Sequence, residues 1–555
     1  MLVNNDVNRG GLAGTGQPDA LSWKQLKPSS PKSTGRRRRR LFAILSAVLL
    51  IAVIFTVMRV ASVAANTNDQ LTLTIGNQQS ALLDLRQSLP ISSYLYGANV
   101  FPEVGSSSIE ANYTGFMSYG PQVVNGLKSA GINLLRFPGG NWGESQPLHN
   151  HILSYSQLYD FSNLLYATGA QGMIQARLSS PTDKYNQDRS LQERALFAED
   201  WVDFMNNPNS QWRKLNNIHG QVHPVVLWSV GNEPDQLINQ DTGAKYTVKD
   251  YVAAFIQFSI AMHNADPAIK VFGPEISQFF GVGVGPKDSS GELWMEGFLQ
   301  GVAAYEKAHP KLPYHLLDGV SFHSYQFQDA ATSPYLLMSS SEEWNYLLPQ
   351  LRQLIRDTMG RDLPIAITEI NSTPSTGKEP TTGQAALWWA DTLGTLMNNQ
   401  ADYVSFFSAQ GVDAPYPLFT SDETPQQTAM YRVFQMFTHM QHNLLPLQIQ
   451  HDPVDAFATE DGARQTLSLM FVNKSGVNQT ATISPKNTAF GYSPWHTQEV
   501  SIAPYSIVLI TLHRGSAAAQ AYSFDVPVSN AAALKPVVQT ACGHKYDPLA
   551  FNIPC

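Results

Sequence analysis

The 555-residue chain has only two cysteines, Cys542 and Cys555, both in its last stretch. Two thiols without a clustered pair of histidines argue against a cysteine-based metal centre. The better reading is one disulfide closing a small C-terminal loop in an oxidising compartment. No His-Glu-x-x-His and no Gly-x-Ser-x-Gly occurs, so zinc-protease and serine-hydrolase mechanisms have no motif to rest on. The glycines of GVGVG, Gly281, Gly283 and Gly285, neither follow a strand directly nor open a helix, which argues against a dinucleotide fingerprint. No metal and no cofactor are therefore expected. Long uncharged runs are scarce too, and the one that stands out is Leu41–Met58, 18 residues directly behind Arg36–Arg40.

That run has the length of a transmembrane helix, and the arginines ahead of it predict an N-terminus held inside. The expected organisation is a basic cytoplasmic tail over 1–40, a signal-anchor over 41–60 and an extracellular remainder, single-pass in the cell membrane. The rival is secretion after cleavage near Ser62-Val63-Ala64, although secretory apolar segments usually run only about 7 to 15 residues. Residues 1–40 hold nine basic side chains against Asp6 and Asp19, so the rest of the chain is more acidic than the net charge of −8 suggests. Such a surface attracts nucleic acid poorly, and no nucleic-acid partner is expected. A hydrophobic content of 43% is enough for one large core and a smaller one.

After a polar linker and the alternating strand Leu71–Ile75, within a joining segment over 61–90, strand and helix patterns repeat from about 91 to 440. The strands are predicted at Tyr94–Phe101, Ile132–Phe137, Met173–Leu178, Val225–Val230, Ile269–Phe272, Gly319–His323, Pro364–Thr368 and Tyr403–Phe407, each followed by a helical pattern. Eight such units imply parallel strands with right-handed crossovers, that is, an α/β (β/α)8 TIM barrel; a doubly wound open sheet is the alternative. Past Leu444 the helical period stops. Short β pieces at Leu447–Gln450, Thr466–Val472, Thr480–Ile483, Gln498–Ile502 and Ser506–Thr511 predict an accessory β-sandwich over 441–513, which Leu71–Ile75 would complete. Residues 514–555 read as a C-terminal tail.

Two strand ends carry the chemistry. The apolar run from Pro224 to Val230 stops at Gly231 and delivers Asn232 and Glu233; the run LPIAITEIN delivers Glu369. Fourth and seventh strands lie across the mouth of a barrel from one another, so the two carboxylates can approach the roughly 5 to 5.5 Å that a retaining glycosidase needs. At that distance both cannot ionise freely, which separates an acid from a nucleophile. Glu275, in FGPEIS, is the main rival carboxylate, but no amide stands beside it.

WSVGNEPD with Glu233, ITEIN with Glu369 and LLRFPGGNW together resemble the clan of retaining glycoside hydrolases built on a (β/α)8 barrel, over most of residues 91–513. The nearest flavour is the heparanase and β-glucuronidase-like group, whose sandwich also recruits an N-terminal strand, while RFPGGN is similar to arabinofuranosidases. The resemblance implies that Glu233 is the acid/base, Glu369 the nucleophile, and Asn232 the ligand of the hydroxyl beside the anomeric carbon. Arg136 would keep Glu369 ionised, His323 and Tyr325 would position Glu369 or the substrate, and Trp142 would stack on a sugar or pack its loop. The expected protein is a membrane-anchored glycosidase with a carbohydrate substrate. Alternatives are an arabinofuranosidase- or xylosidase-like hydrolase, and a non-catalytic carbohydrate-binding protein on the same fold.

Overall fold

The computed structural model describes residues 69–526 except the segments 78–79, 107–114, 145–153, 180–189, 327–332, 375–379, 412–415, 448–452 and 487–492, and also describes 537–541 and 545–546. The proposed anchor Leu41–Met58, the basic tail and both cysteines lie outside these residues. Among the described residues no helix is long and apolar enough to cross a membrane.

Eight parallel strands close into a barrel in chain order: Tyr94–Asn99, Leu134–Phe137, Gln171–Ala176, Leu227–Val230, Lys270–Ile276, Gly319–Tyr325, Ile365–Asn371 and Tyr403–Phe406, the eighth pairing back onto the first. All eight predicted strands are present, with ends shifted by a few residues. The largest shift is in the fifth, which runs past Phe272 to Ile276 and so includes Glu275.

Period-two alternation within each strand explains how the barrel holds a charged site. Leu134, Met173, Leu227, Phe272 and Ala366 form an apolar cluster, with Tyr94 and Tyr403 packed against it. Gly319 faces this layer; a Cβ there would sit 2.1 Å from the Phe272 ring, so glycine makes room for phenylalanine. Two residues further along the same strands stand Arg136, Gln175, Ser229 and Thr368, all buried and polar. An apolar floor thus lies beneath a polar layer. Side chains of the opposite parity face the helices: Phe137, for example, stacks on Phe161 with centroids 4.3 Å apart, and full burial of such a ring is worth about 1.5–3 kcal/mol.

The crossover helices begin where the sequence supplies caps. Ser154, Ser190, Thr247 and Thr381 each close a capping box with the residue three positions on.

The accessory domain is a two-sheet sandwich. One sheet orders Ala81–Asp84, Gln70–Ile75, Gln479–Pro485, Gln498–Ile502 and Lys545–Tyr546; the other orders Val537–Ala541, Ala519–Asp525, Ser506–His513, Thr466–Asn473, Val454–Glu460, Asn443–Leu445 and Leu89–Pro90. The early strand is seated here, with Leu71 opposite Pro485 and Ile75 opposite Ala481. Two expectations need correction. Ala519–Asp525, in the segment read as a tail, pairs along Ser506–His513. Val454–Glu460, with no predicted strand, is fully buried between neighbours. Asn443–Leu445 adds a short strand paired with Val454–Glu460, and the strand expected at Leu447–Gln450 has its residues 448–450 outside the described residues.

Candidate active site

Two β-bulges determine which side chains enter the mouth of the barrel. Between the fifth and sixth strands, Pro274 pairs with Ser321 and Ile276 with Phe322, leaving Glu275 as the extra residue. Between the sixth and seventh, Phe322 pairs with Ile367 and His323 with Glu369, leaving Thr368 extra. Simple alternation from Ala366 would turn Glu369 outward; the bulge brings it in. Glu233 and Glu275 both sit in the left-handed region, at φ 47° and 59°, where non-glycine residues are uncommon. The two turns are tied together: the Glu233 N–H donates to the Glu275 carbonyl at 2.8 Å, and Asp235 accepts from the Ser277 N–H at 2.9 Å.

Arg136 is the hub of the site. Its Nη1 donates to Glu369 Oε1 at 2.8 Å and Asn99 Oδ1 at 2.9 Å; its Nη2 reaches Glu275 Oε2 at 2.7 Å, Asn232 Oδ1 at 3.0 Å and Gln175 Oε1 at 3.1 Å. Because a guanidinium only donates, Asn232 must turn its oxygen to Arg136 and its NH2 toward the cleft, where it donates to Asn141 Oδ1 at 3.1 Å. Tyr325 donates its hydroxyl to Glu369 Oε2 at 2.7 Å. His323 Nδ1 lies 3.0 Å from Glu233 Oε1 and 3.5 Å from Glu369 Oε2. Carboxylate oxygens of Glu233 and Glu369 and a ring nitrogen of His323 all fall within 4.8 Å of one another.

The electrostatics follow from this packing. Burial disfavours the charged guanidinium of Arg136, yet the carboxylates of Glu275 and Glu369 outweigh it and raise its pKa. Burial would likewise lower His323, but Glu369, Glu233 and Glu275 raise it to about 10. Burial pushes Glu275 up, and Arg136 with His323 pull it down to about 2. Tyr325 stays neutral, raised well above its ordinary value by burial and by Glu369. Side-chain exposure is 18% for Glu233 and 5% for Glu369, so Glu233 is the carboxyl that solvent reaches more readily. The three donors of Glu233, His323 and Glu369 have a spacing that a cation could bridge, but Arg136 already supplies positive charge to Glu369.

Of the residues singled out from sequence, Glu233, Glu369, Asn232, Arg136, His323 and Tyr325 converge. Trp142 is 7% exposed and packed into the main hydrophobic core, which fits the packing alternative of its sequence reading. Gly140 in the same loop approaches the site most closely, and a Cβ there would sit 2.8 Å from Glu369 Oε1. Asn99 and Gln175 belong to no motif, yet Asn99 binds Arg136 and Gln175 ties Arg136 to the Gly140 carbonyl, its Nε2 donating at 3.2 Å. Their signal is positional: each is a polar residue near the end of an apolar barrel strand.

No protein-family model and no curated protein sequence matches the chain. Its fold is similar to that of solved glycoside hydrolases. An α-L-arabinofuranosidase from Thermotoga maritima, in an arabinose complex, aligns at 17% identity and TM-score 0.54, over 76% of this chain and 97% of the other. The thermostable GH51 α-L-arabinofuranosidase of Thermotoga petrophila RKU-1 aligns at 16% identity and TM-score 0.56, over 78% and 99%. A Paenibacillus polymyxa xyloglucanase of GH family 44, solved with xyloglucan, aligns at 12% identity and TM-score 0.53, over 77% and 98%. At these identities the likeness establishes the fold.

Proposed function

We propose that the chain is a retaining glycoside hydrolase acting by double displacement. The observation that carries the reading is the approach of Glu233 and Glu369 within 4.8 Å across the barrel mouth. That nearest-oxygen approach fits the roughly 5–5.5 Å carboxyl separation of a retaining pair. Glu369 attacks the anomeric carbon while Glu233 gives its proton to the departing oxygen; the glycosidic bond breaks and a glycosyl ester forms on Glu369. Water then attacks the same carbon, losing a proton to Glu233, and Glu369 leaves. Arg136 and Tyr325 fix the two oxygens of Glu369. The Asn232 NH2, held with its oxygen on Arg136 and donating to Asn141, suits the hydroxyl beside the reacting carbon, where a hydrogen bond strengthens as positive charge develops.

For the sugar, the arabinofuranosidase neighbours and the RFPGGN segment favour an arabinofuranoside- or xyloside-type substrate over a glucuronide. Aryl glycosides differing only in the sugar test this, with the product anomer read by NMR. Fastest release from the α-L-arabinofuranoside with retained configuration is expected. An inverted first product rejects the mechanism, preference for the glucuronide restores the β-glucuronidase-like reading, and sugar binding without turnover on any member marks a non-catalytic binding protein.

For location, Arg36–Arg40 ahead of Leu41–Met58 support an anchor with the catalytic domain outside. Protease on intact cells should then release the large domain and leave a membrane stub. A soluble protein beginning near Ala65 would show cleavage instead, and protection of the large domain would reverse the topology.

A further inference from the structure

Glu275 is a third carboxylate in a site whose reaction needs two. Its side chain is fully buried, its Oε2 lies 2.7 Å from Arg136 Nη2 and 3.5 Å from His323 Nε2, and its backbone is held at φ 59° on a bulge. Non-glycine residues keep such a conformation only where the surroundings over-determine it. We propose that Glu275 is a positioning residue that keeps His323 an imidazolium with Nδ1 aimed at Glu233, and so sets the proton-donating power of Glu233; this rests on the glycosidase reading above.

His323 Nδ1 lies 3.0 Å from Glu233 Oε1 and 3.5 Å from Glu369 Oε2, while Nε2 makes no hydrogen bond but stands at ion-pair distance, 3.5 Å, from Glu275 Oε2. A carboxylate that close to a buried ring favours its charged form through space. Arg136 pairs with both Glu275 and Glu369, and His323 is the basic group that reaches Glu233, at 3.0 Å. Among the described residues the titratable groups at this ring are Glu233, Glu275 and Glu369, with Arg136 on Glu275 and Glu369 and the Tyr325 hydroxyl on Glu369 behind them. Without the charge of Glu275, His323 gives up its proton at lower pH, and Glu233 loses its cationic donor. A purely structural Glu275 that only neutralised buried Arg136 would affect both reaction steps alike.

The distinction is measurable on the full chain with Glu275→Gln, using two aryl glycosides of one sugar, one with a dinitrophenyl and one with a phenyl leaving group. The activated leaving group needs little protonation, so its kcat/KM should fall less than about 10-fold while the phenyl glycoside loses about 100-fold or more, the scale of general-acid catalysis. The alkaline limb set by loss of the His323 proton should move to lower pH. Equal losses on both substrates with an unmoved limb, or wild-type behaviour, would overturn the proposal. If Glu275→Gln does not fold, Glu275→Asp keeps the charge and withdraws it from His323, and the same split at smaller size is expected. A readout independent of turnover is nitrogen NMR of histidine-labelled protein at pH 8, with His323→Gln marking the signal among the 14 histidines. An imidazolium in the wild type that becomes neutral in Glu275→Gln supports the proposal, and a ring already neutral in the wild type overturns it. An enzyme that cleaved no glycoside yet showed this NMR change would refute the glycosidase reading alone.

Discussion

One guanidinium holds the floor of this site together, and what it holds decides how its loss will be felt. Arg136→Ala removes the cation that Glu369 and Glu275 share, leaving two buried carboxylates with His323 beside them. Turnover should fall by roughly two or more orders of magnitude, the scale for losing a preorganised electrostatic partner. Thermal melts should show a less stable but folded protein, and near-normal activity with an intact fold would reject the role. Gly140→Ala is the sharper probe, because Gly140 has φ 54° and its added methyl would meet Glu369 Oε1 at 2.8 Å. Activity is expected to drop by about 10-fold or more with the overall fold retained, a displacement of the Glu369 carboxylate being enough to lose that much. Unchanged kcat would show that the loop has slack the structure does not suggest.

At the scale of elements, the sequence carried the barrel well and its bulges not at all. Alternating apolar and helical periods marked every strand, because burial on two faces is a strong and local signal. The inward turn of Glu369 depends on Thr368 being extra in a register shared with another strand, and nothing within ITEIN records that. The surroundings of Glu275 were hidden for the same reason, since Arg136 and His323, its charged neighbours, are far away in sequence. Val454–Glu460 was missed differently: a strand carrying Asp455 and Glu460 did not look buried. The helix Thr382–Asn398, which follows the strand of Glu369, is keyed to the sandwich: Lys474 Nζ lies 3.1 Å from Asp391 and 2.6 Å from Asp455, all buried. Lys474→Met should destabilise the protein by about 3–5 kcal/mol in urea melts, as expected when one partner leaves a buried ion cluster. A loss below about 1 kcal/mol would mean that the two carboxyls settle without it.

For the whole molecule the buried groups define a pH window. Burial, then the Asp455 charge, raise Asp391 to about 8 against the opposing pull of Lys474. Its contribution is therefore full below its ordinary 3.8 and lost as pH rises through about 8. His323, raised to about 10, acts in the same direction and is lost still higher, whereas Glu275, lowered to about 2, contributes above 4.5 and is lost as pH falls through 2. Urea melts should weaken on both sides of an optimum between these limits, and Asp391→Asn should flatten the decline between about pH 4 and 8; an unchanged slope would remove Asp391 as its cause. The central claim, that Glu233 and Glu369 divide a retaining displacement between them, is tested most directly by azide rescue on an activated aryl glycoside. Glu369→Ala should be inactive until azide fills the gap and gives a glycosyl azide of inverted configuration, whereas Glu233→Ala should accumulate the glycosyl-enzyme and give the azide with retention. Exchanged stereochemical outcomes would swap the two roles, and wild-type turnover in both variants on an unactivated substrate would contradict the account.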